Sequence, residues 1–102
     1  MIKKYRQIQK RFAPGSNPND VIFYYGVAKA YDMVQLLYRA GKNPTRASLR
    51  RAARNMNWVN PFTIKGMKVK TSSKDGFPLD QVKIIRYQSG TWSEISPLLK
   101  GR

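Results

Sequence analysis

The chain has no cysteine and no histidine, and only five acidic residues among its 102. Without cysteine there is no disulfide framework and no thiolate metal site in any compartment. Without histidine the commonest general base is missing, so the usual nucleophile–base pairs cannot be assembled. The acids, Asp20, Asp32, Asp75, Asp80 and Glu94, fall in separate segments with no spacing that suggests a catalytic pair. Asp20 reads as a helix cap, Asp75 as a turn residue and Asp32 as the i,i+3 partner of Lys29. The seven glycines are dispersed and form no phosphate-cradling loop. No apolar run approaches the roughly 18–20 residues of a membrane span. The opening Met1–Lys4 is basic but no apolar stretch follows it, so it is not expected to be a secretory signal peptide. The body of an exported protein reads the same once its signal is gone. The expectation is a protein that is not an enzyme, with no catalytic residue, cofactor or metal ion.

What is present is positive charge. Twenty Lys and Arg give a net charge of +15 and a pI near 10.6. That is the electrostatic footprint of a nucleic-acid binder. It fits equally a surface facing anionic lipid, or a basic exported protein with no anionic partner. The length allows one domain or a piece of one. A hydrophobic fraction of 41% is below the usual ~45–50%, yet not low enough to indicate disorder.

The stretch from Asp20 to Gly41 organises the rest. Phe23, Val27, Ala30, Val34 and Leu37 recur at helical spacing, and Tyr24, Ala28, Tyr31, Leu36 and Tyr38 widen that face. Lys29, Asp32, Gln35 and Arg39 form the narrow polar strip opposite. Such a helix is expected to be covered over most of its circumference. Asn19 or Asp20 can cap its start, and Gly41 can end it in a left-handed conformation.

Before it, Met1, Tyr5, Ile8 and Phe12 predict a short basic amphipathic helix, and Ala13–Asn19, with two prolines and a glycine, breaks it. After it, Thr45 can cap another helix with Leu49, Ala52, Ala53 and Met56 as the buried stripe. Arg46, Arg50, Arg51 and Arg54 sit on that helix with no acid beside them. They could lie along phosphates. No helix-turn-helix, aromatic sheet platform or zinc-finger signature accompanies them, so a solvated arginine face is the plainer expectation.

Trp58 and Phe62 are expected to be anchoring aromatics. Met67–Thr71 alternates as a short one-sided strand, and Thr71–Pro78 is a loop turning at Asp75-Gly76. Gln81–Tyr87 and Thr91–Ile95 predict a β-hairpin turning at Gln88–Gly90. Two or three strands cannot cover the central helix and also bury their own faces, so the architecture is expected to be incomplete.

The run YYGVAKAYDMVQLLYRAGKNPTRASLRRAARNM, followed by NPFTIKGMKVKTSSKDGFPLDQVKIIRYQSGTW, resembles the C-terminal part of ABC-transporter substrate-binding proteins of the branched-chain amino acid (Leu/Ile/Val) type. The shared pattern is a Tyr-Asp pair, an apolar helix ending in Arg-Ala-Gly, a capped helix with Leu-Arg, then Asn-Pro-Phe and a final hairpin ending in Trp. KKYRQIQKRFAPGSNPND resembles the segment before the central helix. The resemblance implies an α/β fold, part of a two-lobed periplasmic-binding architecture. It would supply two to three helices, a short strand and a C-terminal β-hairpin. It implies one partial domain over 1–102, with 1–60 the helical segment of one lobe and 61–102 the strand, loop and hairpin near the hinge or second lobe. The parent protein would bind a small amino acid outside the cytoplasm, in the periplasm, and deliver it to a membrane permease. The fragment would not be ligand-competent alone; its uncovered apolar faces would pair with another copy, so a homo-oligomer is expected. No ligand-contact residue is carried over: Tyr24 and Tyr25 are cleft-edge candidates that read better as core. The arginine-rich helix departs from the family, where more acids are expected.

Overall fold

The computed structural model describes residues 1–101. Three helices are followed by short antiparallel strand pairs, a mixed α/β chain with no closed barrel among the described residues. Helix α1 spans Ile2–Phe12, α2 Val21–Ala40 and α3 Arg46–Ala53. The starts of α2 and α3 follow local rules. The Asp20 carboxylate accepts from the Ile22 amide, and Thr45 forms a capping box with Ser48. Gly41 ends α2 at φ 99° and ψ 178°, which is not the left-handed helical region expected but an extended one open essentially to glycine alone.

On α1 the buried residues are Tyr5 and Gln9, while Met1 and Phe12 of the expected stripe are exposed. The cause lies in the following turn. The Gln9 amide donates to the Ala13 and Ser16 carbonyls at 3.0 and 2.9 Å, folding the chain back before anything can lie over Phe12. Tyr5 then packs edge-on against Phe23 and Tyr24, and Phe62 packs edge-on against Tyr24 and Tyr31. Ala28 completes this core.

The covered side of α2 is therefore not the one its spacing suggested. Tyr24, Ala28 and Tyr31 face the core, Phe23 and Val27 are half-buried, and Ala30, Val34 and Leu37 are exposed. Aromatic edge-to-face contacts favour the tyrosine side. The tertiary hydrogen bonds of Asp32, described below, turn the helix the same way.

Helix α3 packs on α2 and half-buries Leu49, Ala53 and Met56 around a buried Ala52. Strand β1 (Asn57–Val59) pairs with β2 (Lys68–Lys70), placing Trp58 opposite Val69, both buried. Thr71 ties this sheet to α3: its hydroxyl donates to the Ala53 carbonyl and accepts from the Met56 amide. A carbonyl left open at the helix end is thereby satisfied.

The segment expected as one strand over Gln81–Tyr87 is broken at Lys83-Ile84. Strand β3 (Gln81–Val82) pairs with β6 (Leu99–Lys100), and β4 (Ile85–Gln88) pairs with β5 (Thr91–Glu94). The Ile84 amide donates to the Ser96 hydroxyl at the break. The β4–β5 turn is Ser89-Gly90, with φ of 53° and 77°, the paired positive values that a two-residue hairpin needs. Tyr87 and Trp92 face each other across it at 5.0 Å. The molecule is a slab of 51 × 38 × 16 Å.

Candidate interaction face

Asp32 of α2 points into the protein. Asp32 accepts from the Trp58 indole at 2.9 Å and from the Asn60 amide at 3.0 Å. Asn60, buried in the turn before Phe62, also donates to the Ala28 carbonyl and accepts from the Phe62 amide. The Arg39 guanidinium lies 4.6 Å from the Trp58 ring centroid and donates to Gln35. Lys29 stands over Tyr25 at 5.0 Å. The expected Lys29–Asp32 pair is thus replaced by a cation–π contact for one residue and a tertiary network for the other.

Much of the apolar surface of α2 is open, with Lys29 on the same side between Gly26 and Met33. Ile22 is 76% exposed, Val34 61% and Tyr38 84%, with Met33 and Leu37 also exposed. A groove of about 300 Å³ runs between α1 and α2 over Ile8, Val27, Ala30, Val34 and Phe62, with Lys4 at its edge. Large contiguous apolar surface of this kind marks a place where another chain or segment packs.

Two basic features lie elsewhere. Arg46, Arg50, Arg51 and Arg54 are all exposed, on the side of α3 away from Leu49 and Ala52. A polar pocket of about 260 Å³ is lined by Lys68, Lys70 and Lys100 together with Asp75 and Asp80. Among the described residues the one ion pair is Lys83–Glu94, at 2.8 Å.

Of the sequence-derived candidates, Tyr24 belongs to the aromatic core, whereas Tyr25 is exposed and outside it. The residues that sequence reasoning missed are Asn60 and Gly26. An asparagine immediately before a proline signals a turn that its own side chain can hold, which is what Asn60 does. Gly26 is an interior helical glycine on the open face, and a Cβ built on it meets nothing within 4 Å. Among the described residues, no group of three or more acidic, histidine or cysteine side chains could hold a metal ion, and no helix is long and apolar enough to cross a membrane. Comparison with known protein families, curated proteins and solved structures finds no significant match to this chain.

Proposed function

We propose that the chain is the C-terminal part of an extracytoplasmic solute-binding protein for ABC-type import of a branched-chain-like amino acid. The role is non-catalytic and needs no cofactor. The parent would clamp a small amino acid between two lobes, by differential affinity for open and closed states, and pass it to a membrane permease. The observation that carries this is the open side of α2. A capped, twenty-residue helix with much of its apolar surface bare is what remains when part of a lobe is taken away. The resemblance of both halves of the chain to that family supplies the identity of the lobe.

The test is to sequence upstream of the Met1 codon and titrate leucine, isoleucine and valine calorimetrically into two proteins. These are the 102-residue chain and the product of the whole reading frame. The expected result is an extended frame whose product binds, while the chain alone does not. A frame that starts at Met1, or a longer product that binds no amino acid, overturns the proposal.

A second role, nucleic-acid binding through Arg46, Arg50, Arg51 and Arg54, is favoured by one observation: none of the four arginines forms an ion pair among the described residues. Titration of duplex DNA at rising salt decides it. Retention near physiological salt with a log–log slope of several units supports phosphate engagement. Binding confined to low salt is what any chain of +15 does.

A further inference from the structure

The last turn of α2, the facing edge of α3 and the turn after it form a pocket of about 310 Å³. Arg39, Ala40, Ser48, Arg51, Ala52 and Asn55 line it, two guanidinium side chains and no acid. Neither arginine forms an ion pair among the described residues. Asp32, the one acid of α2, bonds Trp58 and Asn60 instead. We propose that this pocket binds a phosphate dianion, free or at the end of a small phosphomonoester, gripped by Arg39 and Arg51 from two helices.

Arg39 is held in place before any ligand arrives. Its guanidinium lies 4.6 Å from the centroid of the Trp58 ring, and Trp58 is itself buried and bonded to Asp32. Nη1 donates to the backbone and side-chain carbonyls of Gln35, which leaves the Nε–Nη2 edge without an acceptor among the described residues. That edge carries the parallel N–H groups that hold an oxyanion bidentately. Arg51 accepts from Asn55 through its backbone carbonyl, while its guanidinium makes no hydrogen bond or ion pair among the described residues. Two open forks select the ligand. A carboxylate has two oxygens, which one guanidinium saturates, and a phosphodiester offers two unbridged oxygens and a single charge. A monoester dianion brings three oxygens and nearly two charges at neutral pH, enough for both arginines. The carbonyl ends of α2 and α3 are each equivalent to about half a negative charge, so two guanidiniums leave the pocket positive. Its volume sits at the low end of small-molecule sites, roughly 300–1,000 Å³, which fits a small ester.

A phosphate site here requires neither role proposed above. It shares Arg51 with the nucleic-acid reading, but Arg39 lies outside that arginine face and Arg46 lies outside the pocket. In a Trp92→Phe chain Trp58 is the only tryptophan, and its emission reports on the cation stacked against it. Inorganic phosphate and methyl phosphate are titrated into this chain at fixed ionic strength and about pH 8, above the second phosphate pKa of about 6. Acetate and dimethyl phosphate are run alongside. The expected result is saturation at one phosphate per chain, a shift in Trp58 emission, and acetate and dimethyl phosphate weaker by about tenfold or more. Arg39→Lys keeps the charge and loses the fork, and Arg51→Met removes a guanidinium that bonds nothing in the chain. By calorimetry each should weaken phosphate about tenfold or more with the circular dichroism unchanged, whereas Arg46→Met should change it less than about twofold. No binding overturns the proposal. So does binding of several phosphates per chain, acetate as strong as phosphate, or equal losses at Arg39 and Arg46, which is what the diffuse field of a +15 chain produces. Duplex DNA on the same variants keeps the two readings apart: its binding should not depend on Arg39, and DNA that displaces methyl phosphate through Arg39 overturns the small-ligand site.

Discussion

Asp32 serves two donors from β1 and the turn after it, and Trp58 depends on it, since the indole N–H of a buried tryptophan needs an acceptor. Replacing Asp32 by alanine leaves that donor unpaired, and the expected cost is about 2 kcal/mol. Lys29→Ala, which removes a surface contact over Tyr25, should stay within about 0.5 kcal/mol of the parent. Urea unfolding of the two variants checks this, and equal losses would restore the Lys29–Asp32 pairing. Tyr5 presents the opposite case. It is 2% exposed and its hydroxyl finds no partner among the described residues. A buried unsatisfied polar group carries its full desolvation penalty, so Tyr5→Phe should raise stability by about 1 kcal/mol. A loss on the same urea curve would show that the hydroxyl is bonded in solution.

Elements differ in how firmly they are held. The β4–β5 hairpin is exposed on every residue and is secured by its turn, its ladder and the Tyr87–Trp92 pair. A two-stranded hairpin with no cover is marginal. Trp92→Ala should therefore cost less than about 1 kcal/mol globally, while amides over 85–94 exchange close to their intrinsic rates. Trp58→Ala, which empties a packed site between α2 and β1, should cost about 3–5 kcal/mol. Protection of the hairpin equal to that of β1 and β2 would contradict this ordering. On α2, Gly26→Ala adds helix propensity where there is room for a methyl group. It should stabilise the dilute monomer by about 0.5–1 kcal/mol, read from the thermal midpoint.

At the scale of the whole molecule, thickness is the distinctive quantity. The shortest extent is 16 Å and the radius of gyration is 16.1 Å, against about 13 Å for a compact domain of this length. One layer of helices with small sheets at its margin leaves α2 open because nothing lies over it. Small-angle scattering from dilute protein should return the larger value with maximum dimensions near the long axis of the slab. A radius near the compact value would mean that α2 is covered in the monomer. Charge contributes at this scale too, since one ion pair among the described residues leaves the field of a +15 chain largely uncompensated.

Local elements were legible in the sequence because their causes are local. The Asp20 and Thr45 caps, the alternation of Met67–Thr71, the Ser89-Gly90 turn and the exposed arginine face each depend on neighbours a few residues away. Strands β1 and β6 were not legible, because two or three residues carry no periodicity to detect, and β3 was legible only as the start of one longer strand. Nor was the orientation of α2. A helix that is apolar around most of its circumference has no single preferred face in its own spacing. Partners distant in sequence made the choice: Trp58 and Asn60 bonding Asp32, and Tyr5 and Phe62 stacking against Tyr24. From the sequence alone it followed that this helix needed cover over most of its circumference and that two or three strands could not supply it. Which side went uncovered was decided only in the tertiary structure, because buried hydrogen bonds and aromatic contacts are directional and burial of aliphatic surface is not.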